Sequence, residues 1–410
     1  MSRTALRRSL VFLFVTVVLD MLAFGMAMPV MPRLIEGFVH GDTARAAELF
    51  GLFNTLWAAM QFIFMPIVGA LSDRFGRRPV LLASITGLGL DWLLLALAPD
   101  LTWLLVGRVL SGITSASVAT ATAYVADLAP AEERSSALGV IMAAFGIGVT
   151  LGPAIGGLLG ALHPRLPFWT GAACCLANAL YGAIVLPESL PRDRRVGFDW
   201  LRANPIGSLH SLARHPGLWG LAALKLLTDL AYASLTATFV LFVERRFGWG
   251  ARGAGLGYTV LGVQLILVQA TLPGRLSRRF GERRVMPLAL LVGAAGFAVM
   301  ALVADPRWVY LSTPLLALCT VIQPTMQGLL TRRAHSSAQG RLQGALGSVG
   351  GLVGLIGPAL FTQTFSYFIR PGPWLVPGAP FLLAALLLLG ALPLALREAH
   401  PRGDDGATAQ

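Results

Sequence analysis

Gly69-Ala-Leu-Ser-Asp-Arg-Phe-Gly-Arg-Arg78 recurs as Gly274-Arg-Leu-Ser-Arg-Arg-Phe-Gly-Glu-Arg283, with seven of ten positions in agreement. The offset is 274 − 69 = 205, half of the 410 residues. A second pair has the same offset: Leu151-Gly152-Pro153-Ala154 matches Ile356-Gly357-Pro358-Ala359. The chain therefore reads as a duplicated unit. In a hydrophobic chain, two like halves suggest a transporter whose halves rock about a central site.

Composition identifies the solvent. Hydrophobic residues make up 55% of the chain and charged residues 13%, where a soluble domain carries about 25% charge; mean hydropathy is +0.70. A membrane helix needs about 20 mostly apolar residues. Twelve such spans can be read, near 10–32, 48–70, 80–98, 101–122, 137–160, 167–187, 217–243, 254–273, 285–304, 308–330, 341–365 and 374–396. These runs are too long for barrel strands and do not alternate. The first run is too long for a signal-peptide core and is expected to stay as a helix.

The expected fold is all-α, twelve transmembrane helices in two pseudo-symmetric six-helix bundles. The expected parts are a bundle over 1–187, a cytoplasmic linker over 188–216, a bundle over 217–396 and a cytoplasmic tail over 397–410. Net charge is +12 from 32 basic residues, of which one, Lys225, is lysine. With the N-terminus inside, 22 basic residues fall in cytoplasmic segments and 8 outside; Arg108 and Lys225 fall within spans. That bias is the positive-inside pattern. It places both termini in the cytoplasm and reads the charge as membrane orientation, not nucleic-acid binding. Cys174, Cys175 and Cys319 lie within spans and form neither a disulfide framework nor a zinc site. Gly146-Ile-Gly148 follows no strand, and no Walker A sequence or nucleophile elbow is present, so neither an enzyme nor direct ATP drive is expected.

Several motifs together resemble the major facilitator superfamily, most of all its drug/proton antiporters and their tetracycline branch. Gly69, Asp73, Arg74, Gly76, Arg77 and Arg78 resemble the family's loop between helices two and three. Leu105-Val-Gly-Arg108-Val-Leu-Ser-Gly112 resembles its helix-four motif. Gly148, Gly152, Pro153, Gly156 and Gly157 resemble the helix-five motif linked with antiport. Asp20-Met-Leu-Ala-Phe-Gly25 and Glu244-Arg-Arg-Phe-Gly-Trp249 resemble the first helix and the end of the seventh. The pattern departs at Gly293 and Leu265, where the branch carries an acidic residue and a histidine. The resemblance implies a proton-coupled exporter in a bacterial inner membrane, acting as a monomer on a hydrophobic drug-like compound. Such a protein uses the proton gradient and no cofactor or metal. An importer of the same fold and a non-transporting sensor remain alternatives.

Charge inside a span costs about 2.5–3.5 kcal/mol at the helix centre and marks function by default. Asp20 lies about ten residues into the first span, roughly 15 Å deep; it could exchange a proton there, or serve as a packing carboxylate. Arg108 stays charged and could bias a nearby carboxylate. Asp91 could contact substrate or be satisfied by its neighbours. Lys225 and Asp229 are four apart on one helix face; they could be a structural ion pair, or a proton-sensitive pair replacing chemistry lost at Gly293. Asn54, Gln61, Gln264, Gln269, Gln323 and Gln327, with Phe24, Trp57, Trp92 and Phe239, could line an apolar cavity. Asp73 is expected to act as a cytoplasmic gate, capping a helix or pairing with an arginine. Arg74, Arg77 and Arg78 are expected to meet anionic lipid heads. The crowded glycines of spans five and eleven read as tight helix packing, with Pro153 and Pro358 bending their helices.

Overall fold

The computed structural model describes residues 3–197, 219–326, 339–372 and 375–399. Residues 198–216 of the expected linker, Gln327 and the tail from residue 400 lie outside the described residues. Among those described, twelve helices are long and apolar enough to cross a membrane. The chain divides into two compact units, Met1–Pro205 with Val243–Gly262, and Ile206–Phe242 with Val263–Gln410.

In the first unit α1 (Arg3–Ala27) is followed by a short α2 (Met31–Phe38) and a long α3 (Thr43–Phe75). The first span was expected to reach residue 32, yet α1 stops at Ala27. Pro29 lacks the N–H that would continue the helix and disfavours helical backbone before it. Pro32 is tolerated because it falls in the first turn of α2. α3 starts where the Asp42 carboxylate accepts from Arg45 N at 2.9 Å, a side-chain N-cap. α3 then runs past the membrane span expected for it, so most of the repeated motif is helix. The turn is a single residue, Gly76 at φ +108, before α4 (Arg77–Leu97). Only glycine adopts such a backbone without strain.

α5 (Leu101–Thr114) and α6 (Ser117–Leu128) share the fourth span, broken at Ser115-Ala116. α7 (Ala131–Leu162) and α8 (Leu166–Val185) complete the spans of the first half. The glycines of α7 let two backbones meet. A Cβ on Gly148 would lie 2.7 Å from Val18 O, and one on Gly152 would lie 2.7 Å from Leu22 O. Gly156 faces Met26 in the same way. This row, spaced by four, packs α7 onto α1, as small residues do in membranes. Gly157 faces elsewhere: its Cβ would lie 2.5 Å from Ala251 O, at the start of α10, which belongs to this unit. Thr259 of α10 donates to Thr150 O at 3.0 Å.

α9 (Trp219–Phe247), α10 (Ala251–Thr271), α11 (Pro273–Phe280), α12 (Glu282–Leu302), α13 (Pro306–Cys319), α14 (Gln339–Ile369) and α15 (Ala379–Ala399) carry the rest. The duplication seen in sequence is also a duplication of turns. Gly281, at φ +75, links α11 to α12 as Gly76 links α3 to α4. Their amides donate to Ser277 O at 3.0 Å and Ser72 O at 3.1 Å. Asp305 caps α13, accepting from Arg307 N at 2.8 Å; Asp100 caps α5, accepting from Thr102 N at 2.8 Å. The two aspartates again stand 305 − 100 = 205 apart. The glycine crowding is not duplicated throughout. Gly357 packs on Ala233, but Gly347 and Gly350 have open space where a Cβ would stand.

Candidate functional site

Asp20 sits on α1, 3% exposed. Its Oδ1 accepts from Cys175 Sγ at 3.9 Å, while Oδ2 has no hydrogen-bond partner among the described residues. One turn earlier, Asn178 of α8 donates to Thr16 Oγ1 at 3.0 Å. One turn later, Phe24 stacks on Trp57 of α3, ring centroids 5.7 Å apart at 27°. Asn54, Trp57 and Gln61 are three and four residues apart and so share a face of α3. Asn54 donates to Phe50 O at 2.9 Å, within its own helix. Gln61 donates to Ser115 Oγ at 3.0 Å, holding the break of the fourth span. Irregular backbone at membrane depth is tolerated where protein buries it or where it lines a cavity. Asp20, Phe24, Trp57 and Gln61 thus come together in one unit, beside that break.

Asp91 and Arg108, assigned separately to cargo contact and to coupling, face each other. Arg108 Nη2 lies 3.9 Å from Asp91 Oδ2, with both side chains almost wholly buried. That is longer than a charge-assisted hydrogen bond of about 2.7–2.9 Å. Neither Asp91 oxygen, nor Arg108 Nε, has a hydrogen-bond partner among the described residues. Gly107 gives the carboxylate room, since a Cβ there would lie 2.8 Å from Asp91 Oδ1.

In the second unit Lys225 Nζ donates to Asp229 Oδ2 at 2.5 Å, and Gln323 Nε2 donates to Asp229 Oδ1. Gln323 therefore belongs with the ion pair. Tyr232, one turn on from Asp229, has a buried hydroxyl with no partner among the described residues. Gly293 does not face free space. A Cβ there would run into Cys319, with Cys319 Cβ at 2.7 Å and Leu388 Cδ1 at 3.0 Å. Cys319 and Gln323 are four apart along the same span, so the position without a carboxylate and the Asp229 pair both contact that span. Gln264 Oε1 is buried without a partner among the described residues, whereas Gln269 is exposed.

The repeated motif of the first unit forms an ionic hub. Asp73 Oδ1 pairs with Arg77 Nη1 at 2.6 Å, and Arg77 Nε pairs with Asp127 Oδ2 at 2.9 Å. The helix cap comes from a residue that sequence reading passed over. Glu188 Oε1 accepts from Arg77 N at 2.9 Å and Arg78 N at 3.4 Å, at the start of α4. A carboxylate there meets the positive end of the helix dipole. Arg78 Nη2 donates to Ala183 O at 2.6 Å, Arg74 lies over the Phe75 ring at 5.2 Å, and Gly69 is open. The usable signal was Pro187-Glu188, an acid just beyond an apolar run, opposite a basic turn.

Comparison with known proteins agrees with this architecture. The family profile described as Major Facilitator Superfamily matches residues 13–358 and 226–409. The tetracycline resistance protein, class C, of Escherichia coli is 35% identical over 395 residues, covering 96% of this chain and 98% of that one. The class H protein of Pasteurella multocida is 32% identical over 387 residues, covering 94% and 96%. A solved bacterial homolog of the human lysosomal transporter Spinster superposes with TM-score 0.75 at 17% identity, covering 97% of this chain and 98% of that one. Full-length identity above three in ten, twelve membrane-length helices and the superposition agree: the chain belongs to the Major Facilitator Superfamily and is a multi-pass membrane protein.

Proposed function

We propose that this protein is a proton-driven exporter of hydrophobic drug-like compounds, working by alternating access in a bacterial inner membrane with both termini cytoplasmic. The observation that carries the proposal is Asp20, a carboxylate buried in a membrane helix with Oδ2 outside hydrogen-bond distance of any partner among the described residues. It lies one turn from the Phe24–Trp57 aromatic pair. An unsatisfied buried acid is costly to keep charged. Taking up a proton relieves that cost, and a change in its occupancy alters the cost of each arrangement of the helices around it.

The Asp91–Arg108 pair is the second element of the coupling. At 3.9 Å the two groups make no hydrogen bond to each other, which leaves the pair free to re-form with other partners. In the second unit, Asp229 takes the coupling role against the same span that fills the space at Gly293. The names of the relatives support an antibiotic as cargo. The packed space at Gly293 favours a cargo contact built on Asp229, Lys225 and Gln323 in this half. Asn54, Gln61, Phe24 and Trp57 supply contacts in the other. The protein acts as a monomer and draws on the proton gradient with no cofactor.

A drug-susceptibility panel in cells expressing wild type and Asp20→Asn tests the reading. Wild type should raise tolerance to at least one hydrophobic compound, and Asp20→Asn should abolish the gain at equal expression. Equal tolerance from both would overturn it. Accumulation in everted vesicles separates export from import.

A further inference from the structure

An apolar cavity of about 410 Å³ lies in the second unit between α11, α12 and the tenth span. Leu276 and Phe280 line it from α11, Val285, Leu288 and Val292 from α12, and Val321 from the tenth span; Arg284 is the charged residue at its edge. Its size falls within the range of small-molecule sites, about 300–1,000 Å³. Phe280 and Leu288 are 47% and 58% exposed, so large apolar groups stand uncovered beside it.

The dimensions match one leaflet. Arg284 to Val292 spans eight residues, about 12 Å of helix rise. The hydrocarbon of one leaflet is about 15 Å deep, half of a core of about 30 Å. Arg284 is the first residue of the ninth span and so stands at headgroup level. α11 adds to the charge. Its Leu276 and Phe280 share one face, while Arg275, Arg278 and Arg279 occupy the others. Arg279 lies over the Phe280 ring at 5.4 Å. No carboxylate among the described residues pairs with Arg284. Basic residues beside an apolar surface suit an anionic membrane lipid, each contributing about 1 kcal/mol of attraction.

Residues 398–410 contain no large apolar side chain. The matching surface of the first unit is differently built. There the segment after the sixth span is tied down: Val196 N donates to Asp73 O at 3.2 Å, and Glu188 Oε1 accepts from Arg77 N at the start of α4. The position matching Val292 is Gly87 (292 − 205), and a Cβ there would run into Thr114. At that position the first unit is already filled.

We infer that this cavity holds one acyl chain of an anionic phospholipid, with Arg284 on its phosphate. The lipid occupies a site distinct from the Asp229 pair and ties α11 to the membrane surface. The test reads binding and needs no transport, so it stands or falls apart from the export reading. Purified full-length protein is titrated with dioleoyl phosphatidylglycerol or dioleoyl phosphatidylcholine and bound lipid is counted by native mass spectrometry. Wild type should retain one phosphatidylglycerol, favoured about fivefold over phosphatidylcholine, the size expected for one basic side chain near the surface. Arg284→Gln should remove the preference and keep the binding. Leu288→Trp, at an exposed position that tolerates the larger ring, should fill the space and remove both. Equal retention of the two lipids by wild type, or no loss in Leu288→Trp, would overturn the inference. So would displacement of the lipid by tetracycline at one-to-one stoichiometry, which would make the cavity a cargo site.

Discussion

Arg108 and Asp91 oppose each other across α5 and α4 at 3.9 Å, buried and without a hydrogen bond between them. Breaking a buried pair by removing one partner leaves an uncompensated charge, at about 3–5 kcal/mol. Arg108→Leu should therefore lower stability sharply, and Arg108→Leu with Asp91→Asn should recover most of the loss. Thermal unfolding in detergent checks this. If the double variant is no more stable than the single, the two residues are not coupled.

The row on α7 makes a contrasting prediction. Gly152→Leu should force α1 away from α7 and abolish folded yield, because Leu22 O and the Gly25 backbone already occupy the space. Gly350→Ala, on the corresponding stretch of α14, should leave yield unchanged, since nothing stands within 4 Å of the added carbon. Fluorescence size-exclusion of both variants gives the comparison. Equal effects would refute the asymmetry of packing between the two motifs.

Much of this was legible in the chain. Repeats at 205 residues, apolar runs and arginine placement specify twelve spans and a duplicated design, because the bilayer imposes length and composition on every helix. Pro99-Asp100 marked the boundary of the closest pair of spans correctly, for Asp100 caps α5. What sequence did not yield was partnership. That Arg108 faces Asp91, that Gln323 joins Asp229, and that Glu188 caps α4 depend on contacts between residues 17 to 111 positions apart. No local pattern carries such distances. The end of α1 at Ala27 was readable from Pro29, but the apolar run beyond it masked the stop.

Glu188 is expected to matter more than a surface acid. Glu188→Ala removes the acceptor for two backbone amides at the start of α4 and should cost about 1 kcal/mol, the usual loss at a helix cap. Glu188→Gln, which keeps an acceptor, should cost less. Thermal midpoints of the two variants decide it, and an equal loss would point to charge alone.

Gly293→Asp is predicted not to rebuild the acid of the tetracycline branch. The new side chain would meet Cys319 and Leu388, so the variant should lose stability and gain no transport. Asp229→Asn should abolish proton-driven transport with folding retained. Wild-type rates in Asp229→Asn would move second-half coupling away from the Lys225 pair.

Counting protons against cargo in proteoliposomes tests the central claim most directly. With an imposed pH gradient, wild type should move an accepted drug against its concentration gradient while protons flow the other way. Asp20→Asn should bind the drug with its proton flux lost. Unchanged drug-linked proton flux in Asp20→Asn would contradict the account.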